Sequence, residues 1–249
     1  MDGIITNSTT FGVVISLLAY GFGSFLKDKT GIALCNPLLI AIAGVIGFLL
    51  IFNIDYDTYN ISARYLSYLL TPATVALAIP LYKQITLLKD NLVAILVSIF
   101  TGVLSSMACI LLFSLIFHLN HSFYVTLLPK SITTAIGMGV AEELGGIPTI
   151  AVAVIIITGI QGNIMGAWIC KIAKIRHAVS KGLAIGTASH AIGTAKAMQM
   201  GEVEGAMSSL SIVVAGLMTV LLASFFAGFV FCSNSRCFPA PQICTAGSA

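Results

Sequence analysis

Residues 127–146 read LLPKSITTAIGMGVAEELGG. Charge-free runs at 91–129 and 144–170 adjoin this stretch, and each is long enough for a helix across a bilayer core of about 30 Å. Between them Ser131–Ala141 is rich in Gly, Ser and Thr, and at about 1.5 Å per residue it cannot cross alone. A second such stretch, Gly182–Ala195 (GLAIGTASHAIGTA), sits between Lys181 and Lys196. Both are expected to be re-entrant or broken helices. Lipid offers a free N–H or C=O no partner, so irregular backbone at that depth must be buried in protein or line a wet cavity. Such segments point to a substrate path.

Composition identifies the solvent. Of 249 residues, 58% are apolar and 8% charged, where a soluble domain carries about 25% charge. Further charge-free runs lie at 3–26, 30–54, 65–82 and 205–235. The expected fold is an all-α polytopic membrane protein, with about 6–8 transmembrane helices, one or two of the segments re-entrant or broken. It is expected in the cell inner (plasma) membrane as a multi-pass protein. The N-terminus, MDGIITNSTTFGVVISLLAYGFG, lacks a positive region before its apolar stretch and reads as a retained helix.

Several classes are excluded. A net charge of +3 dispersed through loops gives no stripe for nucleic acid. The six Cys show no CxxC or Cys/His metal spacing, so no metal and no cofactor is expected. No Walker loop or supported Ser/His/Asp order is present, and no catalytic residue is assigned.

Charge placement tests the crossing pattern. If every stretch crossed once, Lys and Arg would divide almost evenly, against the usual cytoplasmic excess. With 131–141 not crossing, Lys171, Lys174, Arg176 and Lys181 join Lys27, Lys29, Lys83 and Lys89, and the split becomes 9 against 3. The expectation is a cytoplasmic Lys27–Lys29 loop with the N-terminus on the far side. Whether 182–195 crosses does not alter this count and stays open. A slide of 57 residues also sets Pro72–Gly102 against Pro129–Gly159 with nine identities in 31, where composition alone gives roughly three or four. An inverted repeat around Pro-interrupted helices is one reading of that match, and many secondary transporters have this design.

Three segments can carry chemistry. In the 127–146 stretch Pro129 interrupts or starts a helix, placing Lys130, Ser131, Thr133 and Thr134 beside free N–H groups, a receptor suited to a carboxylate. Lys130 equally suits a side chain snorkelling to the interface. In Lys181–Gly205, a continuous helix would put Thr187, His190 and Thr194 on one face. An imidazole in an apolar stretch needs a partner and is a functional-site hypothesis by default, including proton coupling at His190. The alternative is a hydrogen-bonded structural His. Leu70–Gln84, with Thr71, Thr74 and two prolines, describes a kinked helix, and Asn36–Pro37 reads as a helix start.

At these residues a family resemblance emerges. LTPATVALAIPLYKQ, LLPKSITTAIGMGVAEELGGIP and GLAIGTASHAIGTAKAMQMGEVEGA closely resemble, in order and spacing, the signature stretches of the LrgB/CidB family of bacterial membrane proteins. The likeness covers roughly residues 5–230. It implies an antiholin-like or holin-like protein acting with a small LrgA/CidA-type partner on murein hydrolase activity and cell lysis. Relatives are linked to pyruvate uptake, and the plant plastid glycolate/glycerate translocator has an LrgB-like half.

The resemblance covers Pro72, Thr74, Pro80, Lys83 and Gln84, then Pro129, Lys130, Ser131, Thr133, Thr134, Gly145 and Gly146, then Ser189, His190, Gly193, Thr194, Glu202 and Glu204. The chain departs from the pattern at Ala135, Gly139 and Ala191, where a Pro, an acidic residue and a Gly are expected. Residues 1–231 form the family-like membrane domain, and the Cys-containing tail 232–249 looks foreign to the family and is expected to be disordered.

The preferred expectation is a secondary carrier of small monocarboxylates (pyruvate, lactate, glycolate or glycerate). Its binding residues would be Lys130, Ser131, Thr133, Thr134, Thr187, His190, Thr194 and Thr74. The alternative is an antiholin-like regulator that binds an LrgA/CidA-type partner through small-residue surfaces such as Gly12/Ser16 or Gly216. A homo-oligomer is compatible with either.

Overall fold

The computed structural model describes residues 10–30 and 36–231, and all regular structure in them is helical. The tail 232–249 and the first residues of the N-terminal apolar run lie outside the described residues. Helix α1 (Phe11–Thr30) ends on Lys27 and Lys29, cations that complement the negative end of its dipole. Helix α2 (Pro37–Ile51) starts as Asn36–Pro37 foretells: the Leu38 N–H donates to the Asn36 side chain at 2.9 Å, and Pro37 occupies the first turn. Helix α3 (Tyr56–Ala63) packs back on α1 at Gly12. The Gly12 N–H donates to Ser62 Oγ at 2.7 Å, and a Cβ at Gly12 would meet the Tyr59 carbonyl oxygen at 2.5 Å. Ser16 Oγ and Tyr59 Oη are also 2.7 Å apart. The Gly12/Ser16 surface, a docking face on sequence grounds, is therefore already covered by the chain's own α3.

Leu70–Gln84 is a helix interrupted at Leu77, which itself keeps a right-handed helical conformation (φ −66, ψ −18), so the kink expected between the two prolines is present. A 3-10 segment (Arg64–Leu69) precedes α4 (Leu70–Ala76), α5 (Ala78–Lys83) and α6 (Ile85–Asp90). The ring of Pro80 opposes the carbonyl four residues back, at Ala76, where α4 stops.

The rest comprises α7 (Leu92–Ile116), α8 (His121–Leu127), α9 (Thr134–Glu143), α10 (Pro148–Ile172), α11 (Ala178–Met200) and α12 (Glu202–Phe231). By length and composition α1, α7, α10 and α12 can each cross a membrane; α2 is equally apolar but has 15 residues. Large apolar side chains face outward, Leu221 at 76% exposure and Ile51 at 80%, as suits a surface in contact with lipid. Inside, α7 presents Ile95, Ile99, Val103, Met107 and Ile110 on one face toward Ala206, Met207, Ala215 and Ala223 of α12. The wholly buried Tyr124 of α8 donates its hydroxyl to the Phe226 carbonyl at 2.9 Å.

Two hairpins position the site. In the first, α8 runs inward, the chain unwinds over 128–133, and α9 returns. Ser122 Oγ donates to the Gly145 carbonyl at 3.2 Å and the Ile147 N–H to Thr126 Oγ1 at 2.8 Å, so the two ends of the hairpin lie side by side. Gly137 lies close enough to Pro129 that a Cβ there would sit 3.3 Å from the proline carbonyl oxygen.

The second hairpin is α11 itself. His190 has φ 42 and ψ −144, and the chain reverses there. Gly182 packs on Glu204 and Met207, and Met198 packs on Gly205, so residues 182 and 198 flank the same turn of α12. In a straight helix they would be about 24 Å apart. Gly186 and Thr194 likewise both meet Ser208. The expectation of one face shared by Thr187, His190 and Thr194 is thus corrected, because the break at His190 separates the two threonines onto different limbs.

The hairpins open at opposite ends of α10, the first beside Pro148 and the second beyond Ile172. They occupy 121–143 and 178–200, related by the same 57-residue slide, and each follows a helix of 25 residues.

Candidate functional site

The tip of the first hairpin, one limb of the second and the middle of α7 line an open cavity of about 750 Å³. Helix α7 contributes Ser98, Thr101, Ser105, Ser106 and Cys109, the hairpin tip contributes Lys130 and Ser131, and α11 contributes Ser180 and Thr187. Gly102 makes the closeness possible: a Cβ there would stand 2.9 Å from Thr187 Cγ2. Lys130 Nζ donates to Ser131 Oγ at 2.9 Å, and Ser131 Oγ lies 3.4 Å from Ser106 Oγ, linking the unwound tip to α7. Thr101 satisfies its own hydroxyl against the Val97 and Ser98 carbonyls.

Electrostatically the cavity is simple. Among the described residues its lining holds one cationic side chain, Lys130, surrounded by hydroxyls, and no carboxylate. Such a lining suits a small anion with further hydrogen-bonding oxygens.

The expected site residues separate on this geometry. Lys130, Ser131 and Thr187 line the cavity together. His190 does not: it is 3% exposed, and its Nε2–H donates to the Ile155 carbonyl at 3.0 Å. Thr194, fully buried, donates to the His190 carbonyl at 2.9 Å, which leaves Ser208 to donate to Thr194 Oγ1 at 2.7 Å. These two residues fasten the second hairpin tip to α10 and α12. Thr133 lines a different, mostly apolar cleft of about 380 Å³ with Leu77, Leu81 and Gly216, and Thr134 begins α9. The Thr74 side chain lies outside the described residues. No cluster of three metal-ligating side chains exists among the described residues.

Sequence reasoning missed the α7 hydroxyls. Their signal was available: Ser98, Thr101, Ser105 and Cys109 recur at intervals of three or four within an apolar run, one face of a helix.

Comparison with known proteins identifies the family of the chain. The LrgB-like family model matches residues 16–229. The Antiholin-like protein LrgB of Bacillus mycoides (strain KBAB4) is 38% identical over 226 residues, covering 90% of this chain and 98% of the relative. Proteins of the same description from Bacillus cereus (strain B4264) and Bacillus anthracis (strain CDC 684 / NRRL 3495) show the same identity and coverage. No solved structure matches the chain. A family match across nearly the whole described region, with relatives at 38% identity, means that the chain belongs to the LrgB-like family.

Proposed function

We propose that this protein is a secondary carrier of small monocarboxylates in the plasma membrane. The observation that supports it most is Lys130, the lone charge in a hydroxyl-lined cavity, carried on an unwound hairpin tip. In this reading Lys130 and Ser131 hold the carboxylate, and Thr187 with Ser105 and Ser106 takes the hydroxyl or oxo group. Pyruvate, lactate, glycolate and glycerate are the acids that family resemblance brings forward. His190 and Thr194 hold the second tip in place.

The crossings follow. Helices α1, α2, α7, α10 and α12 and the broken run 64–83 traverse the bilayer, while 121–147 and 178–200 enter from opposite sides and return. Helix α7 with the first hairpin and α10 with the second then form an inverted pair around the cavity, an arrangement suited to alternating access.

The test is uptake by the purified chain alone in proteoliposomes, with each of the four labelled acids. Saturable uptake that Lys130→Ala weakens by about tenfold or more supports the carrier. No uptake of any acid, or indifference to Lys130→Ala, overturns it. A second reading is favoured by the name its relatives bear: an antiholin-like regulator acting with an LrgA/CidA-type partner. Uptake seen strictly in the partner's presence would move the function to a two-component assembly.

A further inference from the structure

A second polar cavity, of about 440 Å³, lies away from the first, at the mouth of the second hairpin. Lys171 from the end of α10, Lys174 and Arg176 from the connecting loop, and Lys181 from the outgoing limb of α11 all line it, over a floor that includes Cys170 and Met200. Among the described residues no carboxylate lines it. Cations satisfying the positive-inside rule have no need to share a concave site, and gathering them without a counter-charge costs self-repulsion. The loop that holds them is also well defined. Lys174 is left-handed (φ 55), its N–H donates to the Lys171 carbonyl at 3.1 Å, and the Ile175 N–H donates to the Cys170 carbonyl at 2.9 Å.

We propose that Lys171, Lys174, Arg176 and Lys181 form a binding site for a phosphate-bearing anion, and that the bound anion clamps the mouth of the second hairpin to α10. Arg176 supplies a planar fork suited to two phosphate oxygens, and the lysines act as point charges around it. Each cation near an anionic surface adds roughly fivefold to affinity. Because Lys181 belongs to the outgoing limb of the hairpin and Lys171 to the helix beside it, an anion held between them ties that limb to α10. The limb bearing Lys181 also bears Thr187 of the first cavity, so occupancy of one cavity restrains a wall of the other. The phosphate can belong to a lipid headgroup or to a soluble compound.

Thermal unfolding of the full chain in phosphatidylcholine nanodiscs tests this, with cardiolipin doped into the discs in one arm and inorganic pyrophosphate added to the buffer in the other. Sodium chloride at matched ionic strength is the reference. At least one arm should raise Tm by about 3 °C or more over the reference. A shift with cardiolipin alone assigns a lipid headgroup, and a shift with pyrophosphate assigns a soluble phosphate. Lys171→Gln/Lys174→Gln/Arg176→Gln should lose the shift, while Lys27→Gln/Lys29→Gln/Lys89→Gln, which removes three cations outside the pocket, keeps it. If the first triple variant does not fold, the exposed single change Lys174→Gln must at least weaken the shift and Lys174→Arg must retain it. A shift in neither arm, or equal loss in both triple variants, overturns the proposal.

Discussion

His190 joins two physical demands in one residue. Its backbone sits at φ 42, where an L side chain is strained by about 1–3 kcal/mol, and its ring holds the Ile155 carbonyl. The two effects oppose each other under mutation. His190→Ala keeps the strain and loses the hydrogen bond, so it should lower stability by about 1–3 kcal/mol. His190→Gly loses the same bond but relieves the backbone, and should be about 1 kcal/mol more stable than the alanine variant by denaturant unfolding. Equal destabilisation would mean that the backbone strain is negligible. At Lys130 the expected effect is on binding instead. Under the proposed carrier function, Lys130→Ala removes the charge assigned to the carboxylate and should weaken uptake by about tenfold to a hundredfold, with unfolding little changed. Both residues were legible in the sequence because titratable groups are rare and costly among apolar neighbours. For His190 the sequence left two roles open, and the geometry has the hydrogen-bonded structural one; the break itself was not legible, because neither Gly nor Pro stands at 190.

Among elements, glycine separates contact from composition. A Cβ at Gly162 of α10 would collide with the Ser189 side chain at the second hairpin tip, and one at Gly186 would stand 2.7 Å from Ser208 Oγ. Gly21, Gly139 and Gly228, also helical, have nothing within 4 Å of a new Cβ. Gly162→Val and Gly186→Val should therefore each cost about 2–4 kcal/mol by forcing the hairpin away from its supports. Gly21→Ala and Gly228→Ala should be neutral or stabilising by up to about 1 kcal/mol through helix propensity. Unfolding curves of these four variants check the contrast, and equal effects at both sets of sites would contradict the hairpin geometry. The first hairpin was signalled in the sequence by its short length, by Pro129 and by the charge count. The second was signalled by length alone, and the open question of whether 182–195 crosses reflects that thinner signal. The hydroxyl wall of α7 escaped notice because a Ser or Thr in an apolar helix bonds its own backbone at little cost, so each looks neutral singly. Spacing alone distinguishes them.

The whole molecule is polarised by its few charges. Lys83 pairs with Glu202 at 3.2 Å at the start of α12, Lys27 shares a cleft with Gln199 at the end of α11, and Lys171 through Lys181 ring the mouth of the second hairpin. These side chains come from distant parts of the sequence yet meet at one end of the bundle. Arg64 lies toward the other end, where α3 closes on Gly12 near the start of α1. The charge count favours a segment near 131–141 that does not cross, and the chain turns back on itself at 128–133, a geometry compatible with that expectation. Membrane insertion favours the cation-rich end in the cytoplasm. With the native cysteines replaced, single cysteines at Lys29 and Lys174 should react with an impermeant maleimide added from the cytoplasmic side of inverted vesicles. Cysteines at Arg64 and Ser122 should react from the outer face of intact cells. Lys29 and Lys174 labelling from opposite faces would require an odd number of crossings between 30 and 173 and would contradict this arrangement. Ser122 outside with Lys174 cytoplasmic requires an odd number of crossings between them; α10 supplies one, so the chain must return at Lys130.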